Sequence, residues 1–335
     1  MKPVPARSRR VLGIAAAAAA AALLPTSSAN ACPEDEVQIT YHTTKVDGLR
    51  IFYREAGPPE APVLLLLHGF PSSSRMWEKL MSGLGDRYRL IAPDYPGFGN
   101  SEAPEPASFD YTFDHVAKIV DDFTSAVGVS RYALVMQDYG APVGIRLALS
   151  HPERVTALIF QNSAAYDAAL GPLWDARKAY WKDPQRYLPK IKENLLSLAA
   201  ARQRHVGRSP HLELYDPDNW TDEFAFLSRP GQSDIQSTLF YDYRNNVAAY
   251  PDWQRWLRGT QPPLLVIWGR YDTSFEVEGA TAFKKDVPQA EIHLLDAGHF
   301  PMDEQPRAVI TITREFLEHL QGSGAAIRAA AAKSK

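Results

Sequence analysis

Three residues that could do chemistry together, Asp138, Asp272 and His299, occur in that order, each in a short loop behind a β-rich run. In Gln137-Asp138-Tyr139-Gly140-Ala141-Pro142 an acid stands between a strand pattern and a helix pattern, with small residues directly behind it. That is the layout of a nucleophile elbow, where a strained turn presents the reacting group and small residues let the helix pass close. With Asp at the elbow, the attacking group is a carboxylate and the intermediate an ester, which activated water must then hydrolyse. Gly298-His299-Phe300 offers the base, and Asp272 in Gly269-Arg270-Tyr271-Asp272 the carboxylate that orients it. An isolated Asp at a strand-to-helix turn is more often a helix N-cap. Three such residues at strand ends, in the order nucleophile, acid, base, favour catalysis.

An ester intermediate needs donors for its oxyanion. His68-Gly69-Phe70-Pro71 follows another strand pattern, and its glycine lets the chain turn so that the Phe70 N–H can point at the elbow beside the Tyr139 N–H. His68 itself reads as a structural histidine that holds the turn. Gly99-Asn100-Ser101-Glu102-Ala103 superficially resembles a serine elbow, but no buried strand feeds directly into Ser101, so it reads as a loop.

These loops require a scaffold, and eight β-rich runs supply one: Val37 to Thr43, Leu49 to Glu55, Val63 to Leu67, Tyr88 to Ala92, Tyr132 to Met136, Ala157 to Gln161, Leu264 to Trp268 and Ile292 to Leu295. Val63-Leu64-Leu65-Leu66-Leu67 has no polar alternation, as a strand covered on both faces requires. Helical patterns such as Phe113 to Val127 and Pro142 to Ser150 fill the intervals, which predicts an α/β fold with a mostly parallel eight-stranded sheet and helices on both faces. Ligands then bind beyond the carboxyl ends of the strands, where the three residues lie. Between residues 164 and 260 the strand rhythm stops in a stretch that includes Trp174, Tyr180, Trp181, Tyr187, Trp220, Tyr241 and Tyr243. So long a structureless loop is improbable, and the stretch is predicted to be a helical cap. Residues 32–163 and 261–322 form the core domain, and 323–335 a frayed tail.

The chain begins with Lys2, Arg7, Arg9 and Arg10, an apolar run from Val11 to Leu24, and Ala29-Asn30-Ala31, which together predict a signal peptide over residues 1–31 and an exported, periplasmic or secreted, enzyme. Ser8-Arg9-Arg10-Val11-Leu12 carries the adjacent arginines of the twin-arginine type. Cys32, the only cysteine, excludes an intramolecular disulfide, and Ala29 three residues before it disfavours lipid attachment there. A net charge of −3 gives no reason to expect nucleic acid, and no segment is long and apolar enough for a membrane span. The expected partners are a small-molecule substrate and water. No cofactor is implied, because neither metal-ligand spacing nor a nucleotide loop is present.

Taken together, His68-Gly69-Phe70-Pro71, Asp94-Tyr95-Pro96-Gly97-Phe98-Gly99-Asn100-Ser101, Asp138-Tyr139-Gly140-Ala141, Gly269-Arg270-Tyr271-Asp272 and Gly298-His299 resemble the α/β-hydrolase superfamily. Within it they look like the Asp-nucleophile branch of epoxide hydrolases and haloalkane dehalogenases. The resemblance runs from about Val37 to Leu320 and implies the α/β-hydrolase fold. Similar dehalogenases place Trp after the nucleophile and often Asn after the His-Gly pair, to hold halide; here those positions are Tyr139 and Phe70. Epoxide hydrolases protonate the leaving oxygen with two cap tyrosines. Tyr243-Arg244-Asn245 resembles the segment that holds one of them, and Tyr180, or else Tyr166, is the candidate for the other. Gln137 and Tyr139 depart from the His and Trp common in epoxide hydrolases. The resemblance implies, first, epoxide hydrolysis to a vicinal diol, then haloalkane dehalogenation, then small-molecule binding without catalysis.

Overall fold

A computed structural model describes residues 37–333, with side chains to residue 322. The predicted signal peptide and Cys32 lie outside the described residues. Eight strands form one sheet: β1 (Ile39–Val46), β2 (Leu49–Ala56), β3 (Val63–Leu67), β4 (Arg89–Pro93), β5 (Tyr132–Gln137), β6 (Val155–Gln161), β7 (Leu264–Gly269) and β8 (Glu291–Leu295). Their order is β1-β2-β4-β3-β5-β6-β7-β8, with β2 antiparallel to both neighbours and the rest parallel. The chain reverses its direction of winding between β3 and β5. A crevice opens at such a switch point beyond the strand ends, and the loops after β3 and β5 face each other there.

The helices are α1 (Glu78–Leu84), α2 (Phe113–Ala126), α3 (Gly140–Ser150), α4 (Trp174–Lys182), α5 (Pro184–Leu195), α6 (Leu198–Val206), α7 (Pro217–Leu227), α8 (Gln232–Thr260), α9 (Glu278–Ala282), α10 (Pro301–Glu304) and α11 (Pro306–Lys333). The all-apolar third strand divides its side chains between two cores. Leu65 and Leu67 pack in the cluster that includes α2, α3 and α8, whereas Leu64 and Leu66 pack with Trp77, Leu80 and Leu84 near α1 and with Val309 and Phe316 of α11. Both faces are therefore dry, which is why polar alternation is missing.

Helices α4 to α8 fill the interval between β6 and β7, and they belong to the same compact unit as the sheet. One tie is a carboxylate from α8 that caps α2: the Phe113 N–H donates to Asp242 Oδ2 at 2.8 Å. Helix α11 continues to Lys333, so the backbone from 323 to 333 is helical where a frayed tail was expected. Its alanines, the best helix formers, carry the helix past Gly322 and Gly324. Among the described residues no helix is long and apolar enough to cross a membrane.

Candidate active site

Asp138 sits between β5 and α3 with φ +48°, a left-handed backbone that a non-glycine residue adopts only where its surroundings force it. The forcing is visible in the packing. A Cβ on Gly140 would strike the Leu67 carbonyl of β3, and one on Gly69 would strike Asp138 and Gln137, so the two loops touch with no room for side chains. This close approach delivers two backbone donors to one carboxylate oxygen. Asp138 Oδ1 accepts from the Phe70 N–H at 2.9 Å and from the Tyr139 N–H at 2.7 Å. Oδ2 faces Nε2 of His299 at 3.5 Å.

His299 is fully buried and its Nδ1 lies 2.8 Å from Asp272 Oδ2. Asp272 is held from two other sides: Oδ2 also accepts from Asn162 Nδ2 at 2.8 Å, and Oδ1 from the Ser274 N–H at 2.6 Å. Asn162, which follows β6 with φ +39°, also bonds both backbone groups of Gly269, so it clamps the acid loop to the sheet. Burial alone would lower the His299 pKa, but the charge of Asp272 and the hydrogen bonds to Asp138 and Asp272 outweigh it and raise it to about 9. The structure thus brings Asp138, Asp272 and His299 into one hydrogen-bonded chain.

A family profile described as the α/β-hydrolase fold matches residues 62–306. The chain belongs to the α/β-hydrolase family. The hydrolase is 38% identical over 286 residues to the uncharacterized hydrolase YNR064C of Saccharomyces cerevisiae, covering 83% of this chain and 96% of the relative. It is 28% identical to epoxide hydrolase 3 of Xenopus tropicalis over 88% of this chain and 82% of that one. Among solved structures, haloalkane dehalogenase DbeA of Bradyrhizobium elkani superposes with a TM-score of 0.72 at 21% identity, over 85% of this chain and 100% of that one, a likeness of fold.

Tyr243 is the cap tyrosine that the fold carries to the site of the hydrolase. Asp242, by capping α2, fixes the turn of α8 on which it sits. Its ring packs against Tyr139 at 5.8 Å and Trp174 at 4.7 Å. Burial, and then the charge of Asp138, push its pKa above that of a free phenol, so it stays a neutral O–H donor. Tyr180 and Tyr166 are not brought there. The Tyr180 hydroxyl donates to the Ser237 carbonyl at 3.2 Å and that of Tyr166 to Asp286 at 2.7 Å. The Tyr243 hydroxyl lies 3.5 Å from that of Tyr250, two turns along the same helix. Ser101 donates to the Asp94 carbonyl at 2.6 Å and takes no part. His68 is neutral because of burial and bridges Gly69 O and the Tyr95 N–H, which holds the turn.

Three features escape sequence reading. Gln137 Nε2 lies 2.9 Å from His299 Nε2 and 3.2 Å from the His299 carbonyl, and its Oε1 has no partner. As placed, the amide donates to a neutral imidazole; turned over, it would accept from the imidazolium, so it can serve both states. Asn162 is the second. The third is a pair of arginines in the cap, Arg177 and Arg204, buried to 7% and 6% exposure. Among the described residues no group of three or more His, Cys, Asp or Glu could hold a metal ion.

Proposed function

We propose that the hydrolase opens epoxides to vicinal diols through an alkyl ester on Asp138. The observation that carries this reading is the division of labour between the two carboxylate oxygens. Oδ1 is held by two backbone N–H groups, which leaves Oδ2 to attack an epoxide carbon along the open side. As the C–O bond of the epoxide breaks, Tyr243 gives its phenolic proton to the leaving alkoxide. In the second step water attacks the ester carbonyl, His299 takes its proton, and the oxyanion forms on Oδ1, already between its two donors. The Cγ–Oδ2 bond of the ester then breaks, the leaving alkoxide takes the proton from His299 to complete the diol, and the second proton of the water passes through solvent to the Tyr243 phenolate, which restores the Asp138 carboxylate and the neutral phenol.

Electrostatics couples the steps. In the free protein both carboxylates help hold the proton on His299. Esterification removes the charge of Asp138, so the pKa of His299 falls and the imidazole becomes available as base when water must be activated. Asp272 remains to stabilise the imidazolium that results.

Halide release is less well supported. The indole N–H of Trp174 is taken by the Ser274 carbonyl at 2.7 Å and that of Trp181 by the Phe240 carbonyl at 2.7 Å. Product analysis on a panel of epoxides and haloalkanes, beside Asp138→Asn, tests the reading. Diol formation lost in the variant is expected; halide release with no diol would overturn it. We also propose export through the segment 1–31, which an N-terminus beginning at Cys32 in the mature protein would bear out.

A further inference from the structure

The cap presents two buried cations to the site, and among the described residues neither forms an ion pair, although the charges of Asp138 and Glu223 reach Arg204 from further off. Arg204, on α6, holds its guanidinium 4.4 Å above the ring of Phe70, the residue whose N–H binds Asp138. Arg177, on α4, holds its own 4.2 Å from the Trp174 ring and 5.5 Å from the Phe240 ring. Phe240 in turn packs edge-on to Phe70 at 4.7 Å and against Tyr139 at 6.2 Å. Both cations are thus one ring away from the elbow.

Their hydrogen bonding is incomplete. Arg204 makes one bond, from NH2 to the Leu195 carbonyl at 3.0 Å, and its buried NH1 has no partner; the buried Nε of Arg177 has none either. Among the described residues no carboxylate lies within ion-pair distance of either guanidinium. Burying one unpaired charge costs several kcal/mol, and stacking on aromatic rings returns about 2 kcal/mol for each. Two like charges in one place cost more. Burial and then the charge of Arg177 bring the pKa of Arg204 down to about 10. A fold that needed only packing there would place apolar side chains. Two buried cations beside aromatic rings, each with an N–H that has no partner, are matched in chemistry by an anion that could accept from both.

We propose that Arg177 and Arg204 bind a carboxylate on the substrate, so that the hydrolase acts on epoxides that carry a carboxylate at the end remote from the reacting carbon. The proposal rests on the Asp138 ester reading for the reacting group but not for the anion site. The aromatic rings between the arginines and Asp138 would hold the apolar spacer. Anchoring the far end of the substrate would place its epoxide carbon against Oδ2. It would also neutralise the two cations, which the free protein leaves exposed to each other.

The test compares hexanoate bearing a terminal epoxide with the neutral epoxyhexane of the same length. Wild-type kcat/KM should favour the carboxylate about 100-fold, the scale of two charge-assisted hydrogen bonds. Arg204→Met and Arg177→Met should each cut that ratio to less than about 10-fold. Because a variant could fail to fold, binding to the wild-type protein is measured as well: hexanoate should bind and compete, and hexanol should not. Equal rates on both epoxides without hexanoate binding would overturn the proposal and leave the ester reading standing. Hexanoate binding with neither epoxide hydrolysed would do the reverse. Chloride or bromide competing as strongly as hexanoate would make this a halide site and overturn the carboxylate assignment.

Discussion

Two buried histidines in this protein each sit between two carboxylates, and only one is placed to release its proton. His299 in the core lies between Asp272 at 2.8 Å and Asp138 at 3.5 Å. His205, on cap helix α6, lies between Glu223 of α7 at 2.8 Å and Asp303 of α10 at 2.9 Å, stacked on Phe300. Burial pulls both pKa values down and the carboxylates more than reverse it, to about 9 for His299 and about 10 for His205. The difference lies in what else holds the acids. Asp272 has Asn162 and the Ser274 N–H, so it remains compensated when His299 is neutral. Among the described residues Glu223 and Asp303 have no side-chain donor but His205. Neutral donors make a histidine free to cycle; their absence makes it a fixed ion that ties the cap to the loop behind His299.

The largest effect should come from His299→Gln. Removing the base blocks ester hydrolysis while Oδ2 still attacks, so turnover should fall by about three orders of magnitude or more. Mass spectrometry should find the trapped alkyl group on the peptide that contains Asp138; an adduct elsewhere would show that the nucleophile is another residue. The matching change in the cap, His205→Gln, should act on stability. It leaves two carboxylates facing each other without their cation, a loss of about 3–5 kcal/mol by the measure of broken buried ion pairs. Denaturant unfolding checks this, and turnover per folded molecule should stay within about threefold. A collapse of turnover at unchanged stability would erase the contrast between the two sites.

Titration sharpens the comparison. The folded-state pKa of His205, about 10, lies above its ordinary value of 6.5, so the folded protein keeps a proton that the unfolded chain releases earlier. Its stabilising effect is complete below about pH 6.5 and is lost as pH rises toward 10. The Tm should fall between pH 7 and 10, and fall less in His205→Gln. For His299 the prediction concerns rate. In single-turnover experiments, ester hydrolysis should rise with pH along a limb centred below the free protein's value of about 9, because esterified Asp138 no longer supports the imidazolium.

The histidine proposed as the base was legible in the sequence; the one buried between the cap carboxylates was not. His299 follows Gly298 behind a strand pattern, and strands buried on both faces, such as Val63 to Leu67, announce themselves by continuous apolar runs. All eight strands could therefore be located, and with them the loops beyond their ends. His205 and its partners come from three separate helices, and nothing local marks their meeting. The cap tyrosines show the same limit. Trp174, Arg177 and Tyr180 share one buried stripe of α4, but helix periodicity does not say which of them turns to the site. Docking against α8 sends the Tyr180 hydroxyl to Ser237 and leaves Arg177 beside Phe240. Arginine in a charged stretch normally reads as solvated surface, which conceals the two that are buried in the cap.

The smallest predicted effect tests why His299 is free to cycle. Asn162→Gly keeps the left-handed backbone unstrained and removes the neutral donor from Asp272. The Gly269 N–H also loses its acceptor, so stability should fall by about 1–3 kcal/mol. Asp272 without that donor becomes a more basic partner, so the pKa of His299 should move further up and the pH limb of ester hydrolysis with it. Loosened orientation should lower turnover by about tenfold. A limb that moved down, or did not move, would mean that Asn162 only secures the acid loop and that the freedom of His299 comes from the loss of charge on Asp138 alone. A limb that moves up would place the distinction between the working histidine and the fixed one in a single amide beside Asp272.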